Sequence, residues 1–201
     1  FPLNEEDQVQ LKRCILKVMH DCDVIIMEDY DKGCLDKTLI FQIIEEAQRI
    51  KIPIVVDPKK RNFLHFKGAN LLKPNLKELN EGLKLQINPT EHNTIREAIV
   101  LLDEQLGCAN YLITLSEYGV FASEGSEFVD HPAHIRSIAD VSGAGDSLIA
   151  IISTNLCSGS SIMNSAAIGC CMSSIAVQNM GNKSISSEQV KRKLIEVLME
   201  N

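Results

Sequence analysis

The segment DVSGAGDS, residues 140–147, sets Gly143, Ala144 and Gly145 between Asp140 and Asp146, just ahead of an apolar run. If an extended segment turns into a helix here, the first-turn N–H groups lack backbone acceptors and converge on one spot, which glycine lets a phosphate reach. Asp146 falls in that same turn. Its carboxylate can accept the proton of a hydroxyl attacking a phosphorus held by those N–H groups, so one turn supplies both anion stabiliser and base. Taken alone, the stretch is described more simply as two acids decorating a helix start.

Three further clusters carry chemistry. In KPNLKE (73–78), Asn75 and Glu78 are three apart at a helix start and share a face; an amide oxygen with a carboxylate suits a hydrated Mg2+ beside phosphates. A helix cap followed by a first-turn acid accounts for the pair equally well. TLSEYG (114–119) offers the hydroxyls of Thr114 and Ser116 and the bare backbone of Gly119, or else a plain turn. EDYDKG (28–33) and DPK (57–59) bring Asp29, Lys32 and Lys59. All of these follow apolar runs that read as strands, so they fall on the edge of a sheet where ligands of open parallel sheets gather. Their coincidence favours a phosphate site. His131 and His134 have ligand-like spacing, but the intervening proline and the lack of a cysteine partner argue against a metal site there. Neither GxGxxG nor GxxxxGK[ST] occurs, against a dinucleotide fold and a P-loop.

The elements that must position these residues follow from periodicity. Helical spacing is expected over 4–22, strand VIIM at 24–27, a helix capped by Asp36 running to Ile50, and strand PIVVD at 53–57. Then come strand ANLL (69–72), helices near 75–83 and 90–106, and a strand at 111–115. Short continuous apolar strands alternating with amphipathic helices predict a mainly parallel sheet covered by helices on both faces, an α/β three-layer arrangement. GVFAS and EFVDH predict a hairpin, HIRSIA (134–139) an extended segment, and the chain closes with helices near 143–157, 161–178 and 187–200. Ser186 and Gln189 form a capping box for the last.

Composition narrows the class. The chain has 201 residues, 45% of them hydrophobic and 23% charged, with a net charge of −7, which suits one folded domain with small anions as ligands and argues against nucleic acid. The longest low-charge stretch, 137–182, is interrupted by polar residues and predicts packed helices rather than a membrane span. Seven cysteines without a CxxC pair read as reduced thiols of a cytoplasmic protein. The chain begins with Phe1 and shows no secretory leader, so it is expected to be part of something longer.

DVSGAGDS resembles the C-terminal signature of the ribokinase-like (PfkB) carbohydrate kinases, D-T-x-G-A-G-D-T, and KPNLKE resembles their P-N-x-x-E element. Within that family, EDYDKGCL, VDPK and GANLLKPN look most like the kinase domain of bacterial heptose-7-phosphate kinases, often fused to an adenylyltransferase. The resemblance implies a ribokinase-like fold in which residues 1–201 form the C-terminal, nucleotide-binding and catalytic part of a single kinase domain. The first strands of the sheet and the lid, which often dimerises, are expected to lie outside this chain. It also implies ATP and Mg2+, with K+ as the candidate monovalent cation, and transfer of the γ-phosphate to the anomeric hydroxyl of D-glycero-D-manno-heptose 7-phosphate, giving the 1,7-bisphosphate used for lipopolysaccharide core precursors.

By the same resemblance Asp146 is the base, with Gly143, Ala144 and Gly145 as the anion hole. Asn75 and Glu78 organise Mg2+, and Thr114, Ser116 and Gly119 are expected at the nucleotide phosphates; Lys73, in the same cluster as Asn75, is a further candidate contact to the nucleotide phosphates. The segment from Ala166 to Gly181 borders adenine, and Asp140 helps to hold a monovalent cation. Asp29, Lys32 and Lys59 are candidate contacts to the sugar phosphate or the nucleotide. The sequence departs from the family pattern at Ser142 and Ser147, where threonine is commoner, at Lys73, where threonine is usual, and at Glu117, a carboxylate close to the expected phosphates. A kinase for another sugar and a non-catalytic nucleotide-binding fragment are the alternatives.

Overall fold

The computed structural model describes residues 3–133, 140–181 and 183–200. The backbone divides into two compact units, one ending at Tyr111 and one beginning at Leu112. HIRSIA lies outside the described residues.

In the first unit, α1 (Glu5–Val18) is capped by Asn4, whose side chain accepts from the Asp7 N–H at 2.8 Å. The helix tightens into a 3-10 turn over Met19–Asp21, which is why helical spacing ran on to Cys22 in the sequence. Strand β1 (Ile25–Glu28) follows, then α2 (Lys37–Ile50), capped by Asp36 through a 2.7 Å bond from the Leu39 N–H. The apolar stripe Leu39, Ile40, Ile43, Ile44 and Ala47 is buried, which fixes the rotation of α2.

Strands β2 (Ile54–Asp57) and β3 (Leu71–Leu72) precede α3 (Leu76–Leu83) and α4 (His92–Leu106), and β4 (Asn110–Thr114) crosses the boundary between the units. The pairings β1–β2, β2–β3 and β3–β4 are all parallel. Their parallel order places Glu28, Asp57 and Lys73 at the same end of neighbouring strands, since Glu28 pairs with Asp57 and the Lys73 N–H bonds the Val56 carbonyl at 2.8 Å. Gly82 in α3 lies against the Phe63 ring, where any Cβ would collide with it.

The second unit continues β4 into a 3-10 turn (Ser116–Tyr118) and the antiparallel hairpin β5 (Val120–Glu124) and β6 (Glu127–His131). Strand order follows chain order from β1 to β6. Helices α5 (Ala144–Cys157), α6 (Ile162–Ala176) and α7 (Ser187–Glu200) complete it. A Cβ on Gly169 of α6 would stand 3.1 Å from Ile152 Cδ1, so the glycine allows α5 and α6 to approach closely around Leu148, Ile149 and Ile152. The expected α/β pattern of a mainly parallel sheet with amphipathic helices is borne out.

Candidate active site

The second unit contains a helix start, that of α5, with no side-chain cap among the described residues. Gly143, the residue before α5, adopts φ 73°, a left-handed conformation that glycine reaches without a Cβ penalty, and no side chain among the described residues caps the helix. The Ala144 N–H bends back to the Val141 carbonyl at 3.4 Å and the Ser147 N–H to Gly143 at 2.9 Å. Between them the Gly145 and Asp146 N–H groups have no backbone acceptor among the described residues, and they carry the positive end of the helix dipole.

This turn is fixed from two sides. Asp140 Oδ1 accepts the Ser142 N–H at 2.9 Å and Oδ2 accepts the Gly181 N–H at 3.1 Å. Those N–H donors, that of Ser142 first, hold the Asp140 carboxyl below its usual pKa. From α6, the Ser173 hydroxyl donates to the Ala144 carbonyl at 3.2 Å. Nothing in the local sequence signals Ser173, because only the packing of α6 on α5 brings it there.

Two cavities flank the helix start. The first, about 390 Å³, is lined by Thr114, Ser116, Glu117 and Gly119 from the β4–β5 connection, by Ala144, Gly145 and Leu148 from α5, and by Cys170, Ser173, Ser174 and Val177. Its size and its mostly apolar wall with a few polar groups are those of a small-ligand site. The second, about 360 Å³, holds Ser142, Gly143, Asp146, Ser147, Gly181 and Lys183. Asp146 is exposed there, and its carboxylate has no hydrogen-bond partner among the described residues. Gly181, expected beside adenine, therefore lies with Asp146 in the second cavity and not with Thr114 in the first.

Backbone strain marks the first cavity. Ser116 takes φ 55° and Gly119 φ 97° with ψ −135°, folding the connection so that the Leu115 N–H bonds the Gly119 carbonyl at 2.8 Å. A Cβ at Gly119 would overlap the His131 carbonyl oxygen. Burial pushes the Cys170 thiol up to about 12, which makes it an inert part of the wall. His131, through Nε2, contacts the Met163 carbonyl at 3.2 Å.

The first unit carries the other chemistry. Asn75 Oδ1 accepts the Glu78 N–H and Glu78 Oε2 accepts the Asn75 N–H, both at 2.8 Å, so the pair forms a capping box at the start of α3. Glu78 Oε1 also meets Lys59 Nζ at 2.5 Å. Lys59 reaches Asp57 Oδ1 at 3.2 Å, and Asp57 Oδ2 meets Lys73 Nζ at 3.2 Å. Burial alone pulls the Lys59 ammonium down, but the Glu78 hydrogen bond and the charges of Asp57 and Glu78 outweigh it, so its pKa stands above the ordinary lysine value.

Lys73, expected among the phosphate contacts, is instead buried on Asp57, its side chain 4% exposed; Lys59, at 33%, is the cation of the pair with a solvent face. Asp29 is likewise buried, its oxygens accepting from the Asp31 N–H at 2.8 Å and from the Asn62 amide at 2.9 Å. Through these two bonds it holds its loop in place. Asn62, which also donates to the Leu35 carbonyl, was not anticipated, since the bond spans 33 residues. Lys32 is exposed and joins no ion pair among the described residues.

No group of three or more His, Cys, Asp or Glu able to enclose a metal occurs among the described residues. Asn75 Oδ1 and both Glu78 oxygens already have partners in the capping box and Lys59; they are hard oxygens of the kind that meet a hydrated Mg2+ through its waters.

Solved structures share this architecture. Escherichia coli phosphofructokinase-2 in complex with potassium superposes with a TM-score of 0.85 at 19% identity, covering 98% of this chain and 64% of that one. Arabidopsis thaliana ribokinase complexed with ribose and ATP gives 0.74 at 16% identity, covering 96% of this chain and 60% of that one. The fold is thus the three-layer α/β fold of the ribokinase-like proteins. More narrowly, the pfkB family carbohydrate kinase model matches residues 23–189, and the chain belongs to that family.

Among curated relatives, the bifunctional protein HldE of Rhodopseudomonas palustris (strain BisB18) is 32% identical over 192 residues, 92% of this chain and 38% of the relative. The protein of the same name from Campylobacter jejuni subsp. jejuni is 34% identical over 172 residues, 85% of this chain and 36% of the relative. The chain thus spans well under half the length of these relatives.

Proposed function

We propose that the chain is the nucleotide-binding and catalytic part of a kinase that transfers the γ-phosphate of ATP to the anomeric hydroxyl of D-glycero-D-manno-heptose 7-phosphate. The observation that carries the reading is the start of α5: a helix turn whose Gly145 and Asp146 N–H groups have no acceptor among the described residues, with an exposed carboxylate, Asp146, in the same turn. The choice of sugar rests on the likeness of EDYDKGCL, VDPK and GANLLKPN to heptose-7-phosphate kinases, together with identity to proteins named HldE.

In this reading the nucleotide occupies the first cavity, with its base against Val177, Cys170 and Leu148 and its phosphates toward Thr114, Ser116 and Gly119. The sugar hydroxyl approaches from the side of Asp146. Its oxygen forms the new bond to the γ-phosphorus, the bond from that phosphorus to the β–γ bridging oxygen breaks, and the hydroxyl proton passes to the Asp146 carboxylate. Charge developing on the transferred phosphoryl oxygens is met by the N–H groups of Gly145 and Asp146, already oriented before reaction. Mg2+, when bound, neutralises phosphate charge, and Asn75 and Glu78 are the residues that would organise it through its waters. Asp140, which fixes the turn, is also the residue proposed to face a monovalent cation.

A panel of sugar phosphates scored by ADP release tests the assignment. Turnover highest with the heptose phosphate supports it; preference for a hexose phosphate moves the chain to another member of the family. Tight Mg-ATP binding with no sugar-dependent turnover favours the non-catalytic fragment instead.

A further inference from the structure

We infer that Lys73 is a positioning residue that orients the Glu78 carboxylate through Asp57 and Lys59; for its metal part the inference rests on the proposed role of Glu78 at Mg2+. The charges alternate along one path: Lys73 Nζ to Asp57 Oδ2, Asp57 Oδ1 to Lys59 Nζ, Lys59 Nζ to Glu78 Oε1. Glu78 Oε2 then closes on the Asn75 N–H. Each carboxylate oxygen in this path has its own partner, so neither carboxylate can rotate without breaking a bond.

Lys73 is the fixed end. It sits directly after β3, its N–H held by the Val56 carbonyl, and its ammonium is buried. A buried ion pair is a poor source of net stability, because desolvation offsets most of the attraction. Two apolar side chains at Asp57 and Lys73 would serve a core at least as well, yet a charge is kept one step from the capping box. Since Asp57 is shared, taking away Lys73 leaves Lys59 as its sole counterion among the described residues and draws Lys59 from Glu78 toward Asp57. Lys73 Nζ is buried on Asp57, whereas Lys59, at the other side of that carboxylate, keeps a solvent face.

Lys73→Met removes the charge and keeps most of the volume. The exchange rate of the Asn75 amide, which reports the Glu78 orientation directly, is expected to rise about tenfold, the scale of one net hydrogen bond, with the β2 amides unchanged. Calorimetry with ADP in Mg2+ and in EDTA gives the second readout. The affinity gained from Mg2+ is expected to fall about tenfold in the variant, as when a group that orients a metal ligand is lost, with affinity in EDTA unchanged. Parent-like exchange at Asn75, or an intact gain from Mg2+, overturns the inference. If Lys73→Met does not fold, Asp57→Asn breaks the same path at matched shape and is judged by the same outcomes. A parent chain whose ADP affinity ignores Mg2+ removes the proposed metal role and the metal half of this inference together; Asn75 exchange then decides alone whether Lys73 orients Glu78.

Discussion

The Gly181 N–H donates to Asp140 Oδ2 at 3.1 Å, a bond across 41 residues that ties the segment beyond α6 to the entry of α5. With Asp140 Oδ1 on the Ser142 N–H, one carboxylate sets the path of the turn that aims the Gly145 and Asp146 N–H groups. Asp140→Ala is therefore expected to leave the fold intact by circular dichroism while turnover falls about a hundredfold, the scale of a small misplacement of reacting groups. Turnover equal to the parent would separate this bond from the site.

Gly119→Ala tests the β4–β5 connection. Gly119 combines φ 97° with a Cβ position already filled by the His131 carbonyl oxygen, so the hairpin must shift to admit a methyl group. A loss of about 3 kcal/mol or more in urea unfolding is expected, combining backbone strain with overpacking. A cost within the noise of a surface substitution would mean that the connection does not adopt this path.

Buried thiols give the protein an alkaline weakness. Burial pushes Cys108 up to about 11 and Cys170 up to about 12, against about 8.5 for a thiol in the unfolded chain. Between those values the folded state holds protons that the unfolded state has released, so stability declines as pH rises from about 8.5 toward the folded values. Burial likewise raises the Tyr111 hydroxyl, which deepens the decline at higher pH. Urea midpoints measured from pH 7 to 10 should fall, and Cys108→Ala with Cys170→Ala should flatten the curve. Maleimide on the native protein should modify the exposed Cys14, Cys22, Cys34 and Cys157 and spare Cys108, Cys170 and Cys171.

Local signals in the sequence were enough for α2, where Asp36 and a five-residue apolar stripe define start and face, and for the capping box at Asn75 and Glu78. They also marked the turn at Gly143, because a glycine at a change of periodicity supplies the left-handed conformation that this helix entry uses. Long-range pairings were not legible. Asn62 reaching Asp29, Ser173 reaching Ala144 and Lys73 choosing Asp57 over solvent each depend on which strands and helices become neighbours, and no spacing encodes that. Lys73 illustrates the difference: its position after a strand suggested a phosphate contact, but the carboxylate at the end of the adjacent parallel strand claims it first.

The most direct test of the account is Asp146→Asn, a change that keeps shape and removes the base. Steady-state ADP release with heptose 7-phosphate and Mg-ATP, paired with calorimetric ADP binding, should show turnover reduced by roughly 10²- to 10⁴-fold with nucleotide affinity unchanged. Turnover equal to that of the parent chain would contradict the assignment of Asp146 as the group that takes the hydroxyl proton.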